Sequence, residues 1–186
     1  ITRVNSDLSN DLGNLCSRVL KMIESYFDGR IPESAGLEDR DQELVRFSKE
    51  TIGLYTENFD QFRINKALEN VWELISLVNK YIVAHEPWVL AKDPSKNDRL
   101  ATVLYNSAEA LRIICVLLAP VLVEGTRTIF SLLGMEESPH QIRLDKLTWG
   151  GLKPGARIPA VEPVYPRLER KTIEATLQPS QNLEKE

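Results

Sequence analysis

The chain has 186 residues, 42% hydrophobic and 27% charged, with a formal net charge of −4. That length and balance suit one compact domain with a sizeable core, and they exclude a wholly disordered chain. The acidic balance also excludes a protein that coats duplex phosphates regardless of sequence, because such binders are basic; RNA reading through a few specific contacts stays open.

Val4, Leu8, Leu12, Leu15, Val19, Met22 and Tyr26 recur at steps of three and four, which predicts an amphipathic first helix. Thr2 or Asn5 is placed to cap it, Gly29 to stop it, and Pro32 prevents its continuation. After a loop over 30–36, residues Leu37 to about Asn58 read as a second helix of weaker periodicity, with Leu44, Phe47, Ile52 and Tyr55 inward. Phe62 to Ala84 is a third, with Ile64, Leu68, Val71, Ile75, Val78 and Ile82 on one face. Pro87 ends it or starts a short turn of helix through Lys92. Asp93-Pro94-Ser95 is a break, and Ser95 or Asn97 is placed to cap the next helix. That helix carries Leu100, Val103, Leu104, Ser107, Leu111, Ile114 and Leu118, and Pro120 kinks or ends it. A fifth helix, about Val121 to Leu133, stops at Gly134. Short connections between such helices predict an all-α fold, an antiparallel up-and-down helical bundle.

Beyond Gly134 the composition changes: six of the ten prolines lie here, with Gly150, Gly151 and Gly155. This part is expected to be an irregular C-terminal tail with one short hairpin around Leu152 to Ile158, a last helix from Leu168 to Leu177, and disorder from Pro179 onward. The expected division is a helical domain over 1–170 (helices to about 134, closing segment 135–170), then a short helix and disordered linker over 171–186.

Cys16 and Cys115 are far apart within apolar helical segments and read as buried thiols. They are too few for a disulfide scaffold or a zinc site, and His85 and His140 are isolated. The sequence shows no Gly-rich phosphate loop, no metal-binding His pair and no nucleophile elbow. No catalytic residue, metal ligand or cofactor is therefore assigned to it. The acid pairs Asp39/Asp41 and Glu136/Glu137 read as solvated charges. The longest apolar run, Ile113 to Val123, is too short to span a bilayer and contains Pro120, and no signal-peptide pattern opens the chain. A soluble, cytoplasmic protein without membrane or DNA partners is expected. The start at Ile1, already inside a patterned helix, suggests a piece of a longer chain.

Two places carry recognisable chemistry. Asp7, Asp11, Asn14, Arg18 and Lys21 share one face of the first helix. A solvated, locally ion-paired surface explains that stripe equally well from pattern alone. The functional reading uses Asn14 as donor and acceptor and Arg18 as a planar fork, both able to read a base edge. The second place is Trp88, which follows Pro87 at a chain turn. Alone it favours a core anchor; together with Asn14 and Arg18 it reads as a platform for a splayed-out base. Lys21, Pro87 and Lys92 are possible supporting residues. Trp72, at a helix-face position, is expected in the core, and Trp149 is expected to pin the tail to the bundle.

The segment Asn5-Ser6-Asp7-Leu8-Ser9-Asn10-Asp11-Leu12-Gly13-Asn14-Leu15-Cys16-Ser17-Arg18 resembles the start of the helical anticodon-binding domain of methionyl-tRNA synthetases. Phe27-Asp28-Gly29 fits the same helix end. Asn79, Tyr81 and Glu86-Pro87-Trp88-Val89-Leu90-Ala91-Lys92 resemble that domain's third-helix motif, and Leu117-Leu118-Ala119-Pro120-Val121-Leu122 its fourth-helix stop. Leu152-Lys153-Pro154-Gly155 and Glu162-Pro163-Val164-Tyr165-Pro166-Arg167-Leu168-Glu169 resemble the closing segment. Val164 and Tyr165 stand where Leu and Phe are more usual. The blocks occur in the right order from Arg3 to about Glu169, and that order is more specific than any single block.

The resemblance implies a class I, ATP-dependent aminoacyl-tRNA synthetase that joins methionine to its tRNA. It implies anticodon contacts by Asn14 and Arg18 and base stacking by Trp88. The partners implied are the tRNA(Met) anticodon and a catalytic nucleotide-binding domain upstream in the parent chain, which would use ATP with Mg2+. This fragment alone is not expected to activate methionine. Two alternatives stand beside it. One is the anticodon-binding domain of a leucine, valine, isoleucine or cysteine enzyme of the same class. The other is a helical protein-interaction module, which predicts an apolar groove and no clustering of Trp88 with Asn14 and Arg18.

Overall fold

The computed structural model of the chain describes residue 2, residues 4–160 and residues 163–169. Val4–Gly13 winds as a π-helix and runs directly into α1, Asn14–Tyr26. In a π-helix each N–H bonds back five residues rather than four, so the apolar stripe shifts. Leu12, Leu15 and Val19 are buried as the spacing predicts, joined by Cys16, Leu20 and Ile23, whereas Val4 and Tyr26 are exposed. Asn5 caps no helix; its side chain reaches Leu168 near the other end of the described chain.

The next helices are α2 (Asp39–Asp60), α3 (Ile64–His85), the single turn α4 (Pro87–Leu90), α5 (Asn97–Leu118) and α6 (Val123–Leu132). For α2, α3 and α6 every boundary lies within two residues of the sequence expectation. Gly29 and Gly134 stop their helices at φ +68° and +72°, a region glycine enters without steric cost. The break before α5 is capped by neither Ser95 nor Asn97. Asp93 does it, accepting from the Ser95 N–H at 3.0 Å at the head of the 3-10 turn Pro94–Lys96.

α5 is the axis of the bundle. Every residue from Leu100 to Leu118 is buried, polar ones included. The stretch Pro94–Leu118 is long and apolar enough to cross a membrane by composition, yet its apolar window is wholly enclosed by the other elements. A helix that is hydrophobic all round belongs in a core when neighbours cover each face. Here α1, α2, α3, α4 and α6 all pack on it. Leu44 and Tyr55 of α2 and Val71, Ile75, Val78 and Ile82 of α3 complete the core, with Phe47, Ile52, Ile64 and Leu68 only half-buried. The thiols of Cys16 and Cys115 are free and buried, and burial pushes the Cys16 thiol up to about 12.

Among the described residues beyond α6 the chain forms the 3-10 turns Pro139–Gln141 and Leu144–Lys146 and is otherwise irregular. The expected hairpin around Leu152 to Ile158 does not form. That stretch pairs instead with the loop after α1, through an antiparallel bridge between Arg30 and Arg157. The Ile31 N–H donates to Ala156 O at 2.9 Å, Gly155 to Ile31 O at 2.8 Å, and Ile158 to Gly29 O at 2.9 Å. The two short stretches satisfy each other's backbone groups while burying Ile31 and Ile158, which neither could do by folding on itself.

A second anchor is Glu109 on α5, which is fully buried. Its carboxylate accepts from the N–H groups of Gly150, Gly151 and Leu152 at 2.8, 3.0 and 2.9 Å and from Arg112 at 2.7 and 2.8 Å. Trp149 is half-buried against the core beside this anchor, but the carboxylate does the fastening. Asp41 corrects the reading of the Asp39/Asp41 pair as solvated: it too is fully buried. All but the first two residues of the expected last helix, and the polar tail from Pro179, lie outside the described residues.

Candidate nucleic-acid interface

The groove between α1 and α3 encloses about 540 Å³ and is walled by Asn10, Asp11, Asn14 and Arg18 on one side. The α3 side supplies Trp72, Ile75, Ser76, Asn79, Lys80, Val83 and Ala84. Asn14 is exposed and Arg18 half-buried. Their four-residue spacing on α1 sends both side chains to this one face. The polar stripe does not arrive intact, because the π-helix re-aims its first member, Asp7, while Asp11 stays with Asn14 and Arg18. Asp7 lines a separate cleft with Val4, Leu8, Asn65, Leu68, Glu69 and Trp72. Lys21 is exposed and lines neither.

The groove is amide-rich, with Arg18 and Lys80 as cations and Asp11 as an acid. Burial and the neighbouring Asp7 push the Asp11 carboxyl above its usual range. Asn79 donates through Nδ2 to Ile75 O at 3.2 Å, while its Oδ1 is buried without a partner. The indole N–H of Trp72 is likewise buried without a partner. An unmet acceptor and an unmet donor thus stand in one wall, where folding alone leaves such groups costly. The sequence pattern points Trp72 to the core and does not mark Asn79 or Lys80 as site residues. Helical spacing points to them: Trp72, Ser76, Asn79, Lys80 and Val83, at steps of three and four, fall on one face of α3 beside its apolar stripe.

Trp88 stands just past the end of α3. The helix closes on Glu86, a left-handed residue at φ +44°, ψ +58°. Pro87 opens α4 and is buried, and its fixed φ suits the first position of a helix. Trp88 comes next and is 38% exposed. It is not one of the groove's lining residues; the α3 wall ends at Ala84. The structure therefore brings Asn14 and Arg18 together, and sets Trp88 on the turn that follows their facing helix. Lys92 is exposed in the turn after α4. Among the described residues, no group of three His, Cys, Asp or Glu side chains could hold a metal ion.

A model of the anticodon-binding domain of methionyl-tRNA ligase matches residues 31–178. The chain belongs to this family. The match includes α3 and the Pro87–Trp88 turn; the groove residues of α1 precede it. Relatives extend the likeness over α1 as well. The methionine–tRNA ligase of Caldanaerobacter subterraneus subsp. tengcongensis is 42% identical over 95% of this chain, and that of Thermotoga maritima 37% over 96%. The chain spans 29% and 28% of the lengths of those two ligases. The free Mycobacterium tuberculosis methionyl-tRNA synthetase superposes on 90% of this chain and 34% of its own, with a TM-score of 0.83 at 34% identity. The same enzyme with methionyl-adenylate gives 0.82 at 35% identity, over 89% of this chain and 32% of its own. These likenesses favour the methionine family over the leucine, valine, isoleucine and cysteine alternatives and over a protein-interaction module.

Proposed function

We propose that this domain reads the anticodon of tRNA(Met) for a methionine–tRNA ligase. The observation that carries the reading is the convergence of Asn14 and Arg18 on a groove whose facing helix leads directly into the Pro87–Trp88 turn. In this reading the exposed Trp88 indole holds an unstacked base by its face, which is sequence-tolerant. The Asn14 amide and the Arg18 guanidinium test base edges, and a wrong base leaves their polar groups unpaired. Discrimination then resides in the groove, and Trp88 supplies affinity.

The acidic net charge fits a few specific contacts rather than a phosphate-coating surface. Membership in a ligase family supports a catalytic nucleotide-binding domain elsewhere in the parent protein, using ATP with Mg2+ to activate methionine. A cytoplasmic location, where tRNA is charged, goes with that reading.

The test is binding of an anticodon stem-loop of the methionine tRNA to the 186-residue chain, alongside stem-loops changed at each anticodon base. Preference for the unaltered anticodon is the expected result. Equal binding of all stem-loops, or binding abolished by modest salt, overturns base reading.

A further inference from the structure

The Asp41 carboxylate closes a loop that nothing in the groove explains. Asp41 lies in the first turn of α2 and is fully buried. The Tyr81 hydroxyl donates to its Oδ1, Arg99 donates to both oxygens, and the Glu38 N–H donates to Oδ2 at 2.7 Å. Asn106 of α5 donates to the Tyr81 hydroxyl oxygen at 3.2 Å. Tyr81 belongs to the last turns of α3, and Arg99 to the first turn of α5. Both ends of the excursion that carries Glu86, Pro87 and Trp88 are therefore tied to one carboxylate.

Between those ends the backbone is tightly wound. Val89 and Leu90 donate to Glu86 O at 2.7 and 3.1 Å, and Ala91 to Pro87 O at 2.9 Å. The turn depends on a left-handed conformation at Glu86, a residue with a Cβ. Such a conformation crowds the Cβ against the backbone and persists only where the surroundings impose it. Leu90 and Ala91 press on the core from inside, but the helix ends on either side must also stay in register.

We infer that Asp41 is a positioning residue for Trp88: by holding the end of α3 and the start of α5 together, it fixes the Pro87–Trp88 turn and the plane the indole presents. Its consequence for RNA reading rests on the function proposed above; its control of the turn does not. A merely structural ion pair lowers stability everywhere alike, whereas a positioning role loosens Trp88 before the fold is lost.

The experiment uses the full 186-residue chain with Trp72→Phe and Trp149→Phe, so that Trp88 is the sole tryptophan. Asp41→Asn and Tyr81→Phe are compared in this background with Glu109→Gln, a control at the other buried carboxylate. Acrylamide quenching and emission of Trp88 are read without RNA, at a temperature where circular dichroism shows each variant folded. At 38% exposure, Trp88 has room for a rise of roughly 2-fold in quenching before full solvation. That rise and a red shift are expected for Asp41→Asn, with a smaller change of the same sign for Tyr81→Phe and none for Glu109→Gln. Unchanged quenching in both Asp41→Asn and Tyr81→Phe overturns the inference, as does an equal rise in Glu109→Gln. If Asp41→Asn does not fold, Tyr81→Phe against Glu109→Gln decides alone. In a second arm, Asp41→Asn weakens binding of the methionine anticodon stem-loop. Failure of the unaltered chain to bind that stem-loop overturns the proposed function and leaves the quenching result intact.

Discussion

The side-chain amide of Asn5 closes on the backbone of Leu168, donating to its carbonyl at 3.0 Å and accepting from its N–H at 2.8 Å. One residue near the start of the chain thus holds the closing segment as a strand partner would. Between these contacts Tyr165 packs against the bundle: a Cβ on Gly125 of α6 would overlap its ring, at 1.8 Å from the hydroxyl oxygen. Asn5→Ala removes both hydrogen bonds at an exposed site. It is expected to cost about 1 kcal/mol and to speed proteolysis within residues 163–169 before the bundle unfolds. Limited proteolysis followed by mass spectrometry checks this; cleavage at the unaltered rate would show that Tyr165 alone holds the segment.

Glu109→Ala has a larger effect. It leaves the N–H groups of Gly150, Gly151 and Leu152 without their acceptor and the buried Arg112 guanidinium with the Thr148 carbonyl, at 2.7 Å, in place of a carboxylate. Removing one partner of a buried pair costs on the order of 3–5 kcal/mol. Urea denaturation is expected to show a loss of that size, and a loss under about 1 kcal/mol would mean that water replaces the carboxylate.

The Asp41 carboxyl has a folded-state pKa below its ordinary value. Burial by itself raises it, but hydrogen bonds from Arg99, Tyr81 and the Glu38 N–H, with the Arg99 charge, outweigh burial. A depressed folded pKa contributes stability that is present above the ordinary Asp value of about 3.9 and lost as pH falls through the folded value. The unaltered chain should therefore lose urea resistance below about pH 4 more steeply than Asp41→Asn, which has no carboxyl to protonate. Parallel curves for the two proteins would mean that other carboxylates carry the acid sensitivity.

Arg18 and Trp88 are expected to fail differently. Trp88→Ala lowers affinity for every anticodon stem-loop by about 1–3 kcal/mol with the fold kept, because stacking is blind to sequence. Arg18→Lys keeps the charge but loses the planar fork, so it reduces selectivity among anticodons more than it reduces affinity. Titrating matched and base-swapped stem-loops against both variants separates the roles. Unaltered selectivity in Arg18→Lys would reduce Arg18 to a point charge. A melting temperature that collapses in Trp88→Ala, with RNA affinity of the folded fraction unchanged, would make Trp88 a core residue.

The sequence by itself determined the helices and their stops. Apolar residues at steps of three and four mark α2, α3 and α5, and Gly29, Pro87 and Gly134 mark the ends of α1, α3 and α6, because these signals are local properties of the backbone. It also placed Asn14 and Arg18 on one face, since spacing along a helix fixes direction. What it left open depended on contacts between residues far apart in the chain. Nothing local distinguishes Asp41 or Glu109 from a solvated carboxylate; each is buried because Arg99 or Arg112 and backbone N–H groups meet it there. The pairing of residues 155–158 with the loop after α1, in place of a local hairpin, was decided by which partner could cover Ile31 and Ile158. Asn79, Lys80 and Trp72 became groove residues only when α3 packed beside α1. The π-winding of Val4–Gly13, which turned Asp7 away from that groove, is a choice of hydrogen-bond register that no spacing rule for an α-helix contains.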